Sequence, residues 1–270
     1  MKIIDITFDL ETTSLSADAA ILQIGAVAWD STNHNNPFFD FGDNEVKSSQ
    51  DVMEDRCMYL RNFPLAEQYL AGCDIDKDTQ RWWSQQEKDV RASLLNGYWR
   101  NVADSLHEFF DFMRKVRNQT DADAFNLWCQ GPDTDIAILK MAARRFLNIK
   151  PYDFPVKYTR FRDCRTVILT NGVQYMMDHA GNAKVEDDDF DPIVLNAKQN
   201  KLYDEYIKDP NVVYNYLPQL PETITNNIDV FSTANAHNAL YDAVRSSWNT
   251  WCILQNYDAP EKSPEKKNKH

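Results

Sequence analysis

The run IIDITFDLE at residues 3–11 constrains the fold more than any other part of the sequence. Side chains alternate across a β-strand, so the apolar residues share one face while Asp9 and Glu11 share the other. Two neighbouring carboxylates repel each other and are costly to desolvate unless a cation or a proton lies between them. The pattern leaves two interpretations open, a strand with one solvated face or half of a divalent-metal site.

The charge of the chain argues against some classes of nucleic-acid-binding protein. Its 270 residues carry a net charge of −12, which disfavours a protein that coats nucleic acid through a basic stripe. An enzyme that grips a few nucleotides through bound cations remains compatible with this charge. Acidic residues interrupt the first apolar run, unlike a signal peptide, and no apolar stretch approaches the ~20 residues of a membrane span, so we expect no membrane partner.

Five cysteines are scattered along the chain without a CxxC pair. An odd number in this arrangement favours free thiols in a reducing compartment over a disulfide framework or a zinc site. We therefore expect a cytoplasmic location.

Hydrophobic periodicity predicts the secondary structure. We expect strands at 2–10, 21–30, 38–41 and 124–130, and helices through 81–86, 101–116, 135–147, 164–172 and 238–257. Strands followed by helices that flank a further strand predict one α/β domain with a mixed sheet over residues 1–258. The acidic segment near 174–193 is interpreted as a solvated insertion, and 259–270 as a disordered polar tail.

Two aspartates, Asp133 and Asp135, precede the predicted helix at 135–147. A carboxylate at a helix N-terminus is favoured by the helix dipole, so capping accounts for one of them, and we assign that role to Asp133. Asp135 would then lie in the first turn, able to point toward the end of the neighbouring strand.

A histidine and an aspartate meet at the start of the last helix, in AHNALYDA at 236–243. His237 and Asp242 are five residues apart, which separates them by about 140° on a continuous helix. Asn238 is a good N-cap residue, so His237 would lie in the loop before the helix and could face the same point as Asp242. A surface histidine and a surface aspartate are the alternative.

These pieces stand in a fixed order: DxE at the end of the first strand, an aspartate at the start of a middle helix, and HxxxxD at the start of a late helix. The pattern resembles the three-motif signature of the DEDDh (DnaQ-like, RNase H-fold) 3′–5′ exonucleases. The matching residues are Asp9, Glu11, Asp135, His237 and Asp242.

Two further stretches resemble the phage exonuclease A group of that superfamily. TQRWWSQQEKDVR at 79–91 is similar to its helix pair, and FRDCRTVI at 161–168 is similar to its RDxRT segment. Three positions depart from the usual pattern without removing a metal ligand: Ser14, Gln23 and Thr134.

The resemblance implies an RNase H-like mixed sheet flanked by helices, and a 3′–5′ exonuclease that releases nucleoside 5′-monophosphates. It implies two divalent metal ions, Mg²⁺ with Mn²⁺ as a substitute. Asp9 would bridge both ions, Glu11 and Asp242 would help hold the ion that binds the nucleophile, and Asp135 would hold the second. His237 would be the general base, a task suited to a group with a pKa near neutrality.

The resemblance also suggests where the substrate binds. The backbone around Thr12 and Thr13 should approach the 3′-terminal nucleotide. Trp83, Gln85 and Arg165 are further candidates for substrate contact.

The tryptophans and Arg165 also have a structural interpretation. Neighbours on a helix diverge by about 100°, so we expect at least one of Trp82 and Trp83 in the core. Arg165 could contact a phosphate or pair with Asp163.

The choice between DNA and RNA depends on a contact to the 2′-hydroxyl, to which no residue can be assigned from the sequence. The resemblance to the phage group favours single-stranded DNA 3′ ends and leaves RNA open. A trimming or proofreading factor in a complex, and a catalytically inactive nucleic-acid-binding module, are the alternatives. A homodimer is left open.

Overall fold

The computed structural model describes residues 1–38, 56–95, 97, 100–181, 192–225 and 237–257. The strands are β1 (Ile3–Thr12), β2 (Ile21–Trp29), β3 (Cys57–Arg61), β4 (Ala124–Cys129) and β5 (Phe161–Asp163). The helices are α1 (Leu65–Leu70), α2 (Lys77–Gln85), α3 (Lys88–Leu95), α4 (Val102–Gln119), α5 (Asp135–Leu147), α6 (Cys164–Gly181), α7 (Pro192–Lys208), α8 (Glu222–Thr225) and α9 (Ala239–Gln255). Two 3₁₀ segments cover Tyr158–Arg160 and Pro210–Tyr216.

The five strands form one mixed sheet in the order β3-β2-β1-β4-β5. β1 is antiparallel to β2 and β2 to β3, whereas β4 runs parallel to both β1 and β5. The predicted α/β fold with a mixed sheet flanked by helices is confirmed. Because β1 and β4 are parallel, their carboxyl ends meet at one edge of the sheet.

Helices cover both faces of the sheet. On one face, the apolar side of β1 packs against α4 and α5, with Phe8 and Phe109 at a ring-centroid distance of 5.8 Å. On the other face, β2 and β4 pack against α6 and α9 through a cluster that includes Trp29, Trp128 and Trp251. The face of β1 that carries the carboxylates is therefore covered by helices along much of its length.

The helix predicted at 164–172 continues to Gly181, which corrects its predicted end near a glycine. A Cβ atom on Gly172 would overlap the side chain of Val213 in the second 3₁₀ segment. This glycine therefore allows a close approach inside the fold instead of ending the helix. The first part of the predicted insertion is helical as a result, while its acidic run at 186–191 lies outside the described residues.

The predicted strand at 38–41 also differs from the structure. Phe38 is buried in a bend and 39–41 lie outside the described residues, while the third strand of the sheet is Cys57–Arg61. The predicted tail at 259–270 lies outside the described residues as well. Within the described part of the chain, no helix combines the length and apolar character that a membrane span requires.

Candidate active site

The carboxylates of β1 face the first turn of α9. In the β1–β2 ladder, Asp9 is opposite Gly25 and Glu11 is opposite Gln23. A Cβ atom on Gly25 would overlap the backbone of Ala239, so only glycine lets the helix start approach the sheet at this point. The solvated-face interpretation of β1 is therefore wrong at this end of the strand.

Gln23 holds the start of α9 against the sheet through a hydrogen bond. Its side chain is fully buried, its Oε1 accepts from the Ala239 backbone N–H at 3.2 Å, and its Nε2 donates to Ser93 at 3.2 Å. An amide suits this position because it supplies both an acceptor and a donor. The departure from the family pattern at residue 23 thus has a structural role.

The residues before α9 adopt the predicted arrangement. Asn238 is the N-cap, and its Oδ1 accepts from the Leu240 and Tyr241 backbone N–H groups at 3.1 Å. His237 precedes it with a φ of +71°, a left-handed conformation that few non-glycine residues adopt. The His237 backbone N–H donates to Oδ2 of Asp242 at 3.0 Å, which holds the two predicted site residues together.

Three carboxylates converge at this point. One oxygen each from Asp9, Glu11 and Asp242 lie within 4.8 Å of one another. Burial, followed by repulsion from neighbouring carboxylates, raises the pKa of Glu11 to about 8. Burial raises the pKa of Asp242 to about 6, and burial with repulsion from three carboxylates raises the pKa of Asp9 well above its ordinary value.

Asp135 joins the cluster from α5. Its side chain is buried at the first position of that helix, and its charge contributes to raising the pKa of both Asp9 and Glu11. Burial raises the pKa of Asp135 to about 7, although the positive charge of Arg165 acts to lower it.

The predicted cap of α5 is different in the structure. The N-cap position is Thr134, whose side chain makes no capping hydrogen bond, so Asp133 does not cap the helix. Instead, the backbone N–H groups of Thr134 and Asp135 both donate to the Gly131 carbonyl in a tight turn. The turn, and not a carboxylate, starts the helix and places Asp135 at the sheet edge.

The donor set fits divalent cations of the hard type. All the converging groups are carboxylates, which are the ligands that Mg²⁺ and Mn²⁺ prefer. Burial first, and mutual repulsion second, favours the protonated form of these carboxyl groups, and a bound cation would favour the ionised form instead. The cluster is therefore compatible with metal binding.

The carboxylates lie in an open cleft of about 730 Å³. Of the residues predicted from the sequence, the cleft is lined by Asp9, Glu11, Thr12, Trp83, Asp135, Arg165, His237 and Asp242. All five predicted catalytic residues are thus brought together.

Thr12 and Thr13 take different positions. Thr12 lines the cleft, just after a β-bulge between Glu11 and Thr12. Thr13 is buried, its backbone N–H donates to the Ala20 carbonyl, and its own carbonyl accepts from the Asp76 backbone N–H. Since both backbone groups of Thr13 are engaged inside the fold, Thr13 shapes the loop and does not itself face the cleft.

Of Trp82 and Trp83, one lies in the core and the other at the surface, as expected. Trp83 is buried and its indole N–H donates to the Thr12 carbonyl at 2.9 Å, whereas Trp82 is 41% exposed. The Trp82 ring meets the His237 ring edge-on, with a centroid distance of 4.8 Å and an interplanar angle of 89°. Trp82 therefore borders the cleft beside the predicted general base.

Gln85 and Arg165 differ in position. Gln85 is exposed at the last position of α2 and does not line the cleft, so its substrate contact stays a prediction. Arg165 is exposed in the first turn of α6 and lines the cleft. The Asp163 carboxylate accepts from the Arg165 backbone N–H and the Thr166 hydroxyl, so it caps α6 instead of pairing with the Arg165 guanidinium.

Leu15 and Gln130 are among the residues that line the cleft without having been predicted from the sequence. Leu15 is 84% exposed, and its signal was a lone leucine in an otherwise polar loop directly after the first motif. Gln130 follows β4, and its Nε2 donates to Ser246 on α9, so it ties the β4 end to the helix.

No curated protein matches the sequence. Among solved structures, the fold is similar to the crystal structure of cell-death related nuclease 4 (CRN-4), with 15% sequence identity and a TM-score of 0.41. The alignment covers 93% of this chain and 62% of the other, so this chain spans less than two thirds of the length of that nuclease.

A family model gives a stronger result. The model of the Rv2179c-like 3′–5′ exoribonuclease domain matches residues 5–207, which includes β1 with its carboxylates, the whole sheet and Asp135. The match ends before α9, so His237 and Asp242 are placed by the structure alone. A match over this share of the sequence shows that the chain belongs to the Rv2179c-like 3′–5′ exoribonuclease domain family.

Proposed function

We propose that this protein is a metal-dependent 3′–5′ exonuclease that removes nucleoside 5′-monophosphates from the 3′ end of single-stranded nucleic acid. The observation that carries the proposal is the convergence of four carboxylates and one histidine in a single open cleft. Family membership supports the same reaction class.

Asp9, Glu11 and Asp242 would hold one divalent cation, and Asp135 together with Asp9 would hold a second. When bound, such cations lower the pKa of the attacking water and neutralise charge on the phosphate and the leaving oxygen. The protein contributes a rigid set of oxygen ligands from three elements, β1, α5 and α9.

His237 would accept the proton of the attacking water. The water oxygen forms a bond to phosphorus, the bond from phosphorus to the 3′-oxygen of the preceding nucleotide breaks, and the water proton moves to an imidazole nitrogen. Burial lowers the pKa of His237 below its ordinary value of 6.5, so the ring is neutral and able to accept a proton at neutral pH. Its backbone bond to Asp242 keeps it beside the carboxylates.

Arg165 would bind a substrate phosphate. It lines the same cleft as the carboxylates and exerts its positive charge on Asp135. A guanidinium at this position suits a phosphate because its planar donors match the phosphate oxygens.

We propose RNA as the preferred substrate. The printed name of the family supports RNA, whereas the resemblance to the phage group supported DNA. Both nucleic acids therefore belong in the first experiment.

The test uses 5′-labelled single-stranded RNA and DNA of matched sequence, with Mg²⁺ or Mn²⁺ and with Asp9→Ala as the control for contaminating nucleases. We expect a ladder that shortens from the 3′ end, faster on RNA, and absent with Asp9→Ala. His237→Ala should lower kcat by about 10²–10⁴-fold while Mg²⁺ still binds. If neither nucleic acid were cut with either metal, or if Asp9→Ala kept normal turnover, the proposal would be wrong.

A further inference from the structure

The basic residues of this acidic chain are concentrated in one segment. Residues 140–165 contain eight Lys or Arg and two Asp, a net charge of +6 within a chain of net −12. A charge reversal of this kind attracts a polyanion to one part of the surface even when the whole molecule is acidic.

The last nine residues of that segment form the edge of the sheet and lead into the cleft. They comprise the first 3₁₀ segment, the edge strand β5 and the start of α6. Within the described residues, β5 has a neighbour on one side only, β4. We call the four basic residues and the exposed tyrosine here the edge strip: Lys157, Tyr158, Arg160, Arg162 and Arg165.

Three of the four positive charges of the edge strip form no ion pair within the described residues, while the fourth, Arg165, acts on Asp135 in the cleft. Lys157, Arg160 and Arg162 form no salt bridge with any residue in the described ranges. Arg160 and Arg162 instead donate to uncharged oxygens, the Asn126 side chain and the backbone carbonyls of the strip itself. The acidic residue inside the strip, Asp163, is occupied in capping α6.

An aromatic side chain stands between these charges. Tyr158 is 80% exposed, and its ring contacts no other ring in the described part of the chain. Exposed aromatic rings that alternate with basic residues are typical of surfaces that track single-stranded nucleic acid, because bases stack on the rings while phosphates pair with the cations.

The strip is continuous with the catalytic cleft. Arg165 belongs to both, and the strip extends from it for about 20 Å, given the rise per residue of a strand and a 3₁₀ segment. A strand whose 3′ end lies at the carboxylates must leave the cleft past some part of its rim. Among the described residues that line the cleft, Arg165 is the only Lys or Arg, and the edge strip continues from it.

We propose that the edge strip binds the 5′-ward part of the single-stranded RNA substrate, so that the enzyme favours oligonucleotides longer than those the cleft alone can hold. The inference rests on the proposed exonuclease function and adds a substrate-length preference to it. It assigns a binding role to Lys157, Tyr158, Arg160 and Arg162, which lie outside the catalytic cleft.

The test compares a dinucleotide with a single-stranded RNA of about 12 nucleotides, a length within the site sizes of single-strand-binding proteins. Lys157→Glu and Tyr158→Ala suit the test because both side chains are exposed and neither has a described side-chain partner that the fold requires. Lys198→Glu on α7 makes the same charge change at an exposed site away from the cleft and serves as the matched control.

We expect each strip variant to lower kcat/KM for the long RNA at least about fivefold more than for the dinucleotide. Binding of the long RNA in EDTA should weaken in parallel, and Lys157→Glu should reduce the slope of log affinity against log salt by about 0.7 or more, the value for one phosphate contact on a single strand. Lys198→Glu should behave as the wild type on both substrates.

Equal losses of kcat/KM on both substrates, or no loss on the long RNA, would overturn the proposed binding role of the edge strip. The proposed exonuclease function would be unaffected by either result. A change in sedimentation mass caused by the strip variants would also overturn it, because the edge would then join two copies of this chain. Absence of cleavage of both RNAs by the wild type would instead reject the proposed function. Arg162→Gln, which keeps an amide donor for the backbone carbonyls and removes the charge, gives an independent second variant.

Discussion

The backbone of Gly25 on β2 lies directly against the backbone of Ala239 in the first turn of α9, with no room for a Cβ atom between them. Asp9 is the partner of Gly25 in the sheet, and His237 and Asp242 flank Ala239 in sequence. This contact therefore sets how close the third motif comes to the first.

Gly25→Ala should increase the distance between the first motif on β1 and the third motif at the start of α9. The added methyl group pushes α9 outward, which we expect to cost about 1–3 kcal/mol of unfolding free energy and at least about 10²-fold in kcat/KM, since small displacements of catalytic groups have effects of that size. Urea unfolding and RNA cleavage measure the two effects.

Gly72→Ala is the matched control for that change. Gly72 has a φ of +83° and open space around it, so alanine there strains the backbone by about 1 kcal/mol without touching the site. Similar destabilisation by both variants with loss of activity only for Gly25→Ala is expected; equal activity of the two would refute the role of the contact.

Asp9→Asn should abolish metal binding without lowering the stability of the fold. The amide removes one charge from a buried, mutually repelling group, so we expect unfolding free energy in EDTA to equal or exceed that of the wild type. Activity should fall by more than about 100-fold. The stabilisation by Mg²⁺, about 2.7 kcal/mol at 100 times the dissociation constant, should be lost as well.

Asp5→Asn on the same strand is the control for Asp9→Asn. Asp5 is buried and accepts hydrogen bonds from Asn126 and Trp128, so its role is structural. This variant should be less stable than the wild type yet keep its Mg²⁺ stabilisation. The reverse result for the two variants would mean that the metal ligands are wrongly assigned.

The metal-free protein should become less stable as pH rises. Burial raises the pKa of Glu11 to about 8 and that of Asp135 to about 7, from ordinary values of 4.5 and 3.8. The folded state thus keeps protons that the unfolded chain has released. The free energy of unfolding therefore falls as the pH rises from the ordinary values of these groups to about 8. The lowered pKa of His237 acts in the opposite direction, but only up to about pH 6.5.

Urea unfolding in EDTA between about pH 6.5 and 8 isolates the carboxylates. Glu11→Gln should flatten the fall, and saturating Mg²⁺ should remove it because the cation binds the ionised form. A fall of the same size in the wild type and in Glu11→Gln would contradict the assignment.

The adjacent tryptophans should respond in different ways to substitution. Trp82→Ala removes an exposed ring beside His237, so we expect KM to rise about fivefold or more with little change in stability. Trp83→Phe removes the hydrogen bond to the Thr12 carbonyl, which should cost about 0.5–1.5 kcal/mol of stability. Equal effects of both on KM, with no effect on stability, would show that Trp83 also faces the substrate.

Family membership supports the predicted reaction class, a 3′–5′ exonuclease, whereas the DEDDh subclass and the closer resemblance to the phage exonuclease A group stay predictions. Signals within one element were sufficient for much of this result. The alternation in β1 and the Asn238 cap are local patterns, and each is found in the structure as the sequence predicted.

Tertiary structure decided what local patterns leave open. The sequence by itself determined which residue types carry the chemistry and on which elements they lie, because strand alternation and helix capping act over a few residues. Three outcomes could not be predicted from the sequence. They are the covering of the carboxylate face of β1, the position of Gly172 inside a helix, and the inward orientation of Thr13. Those outcomes depend on the approach of Gly25 to Ala239, of Gly172 to Val213 and of Thr13 to Asp76, contacts between residues far apart in the chain that no local period encodes.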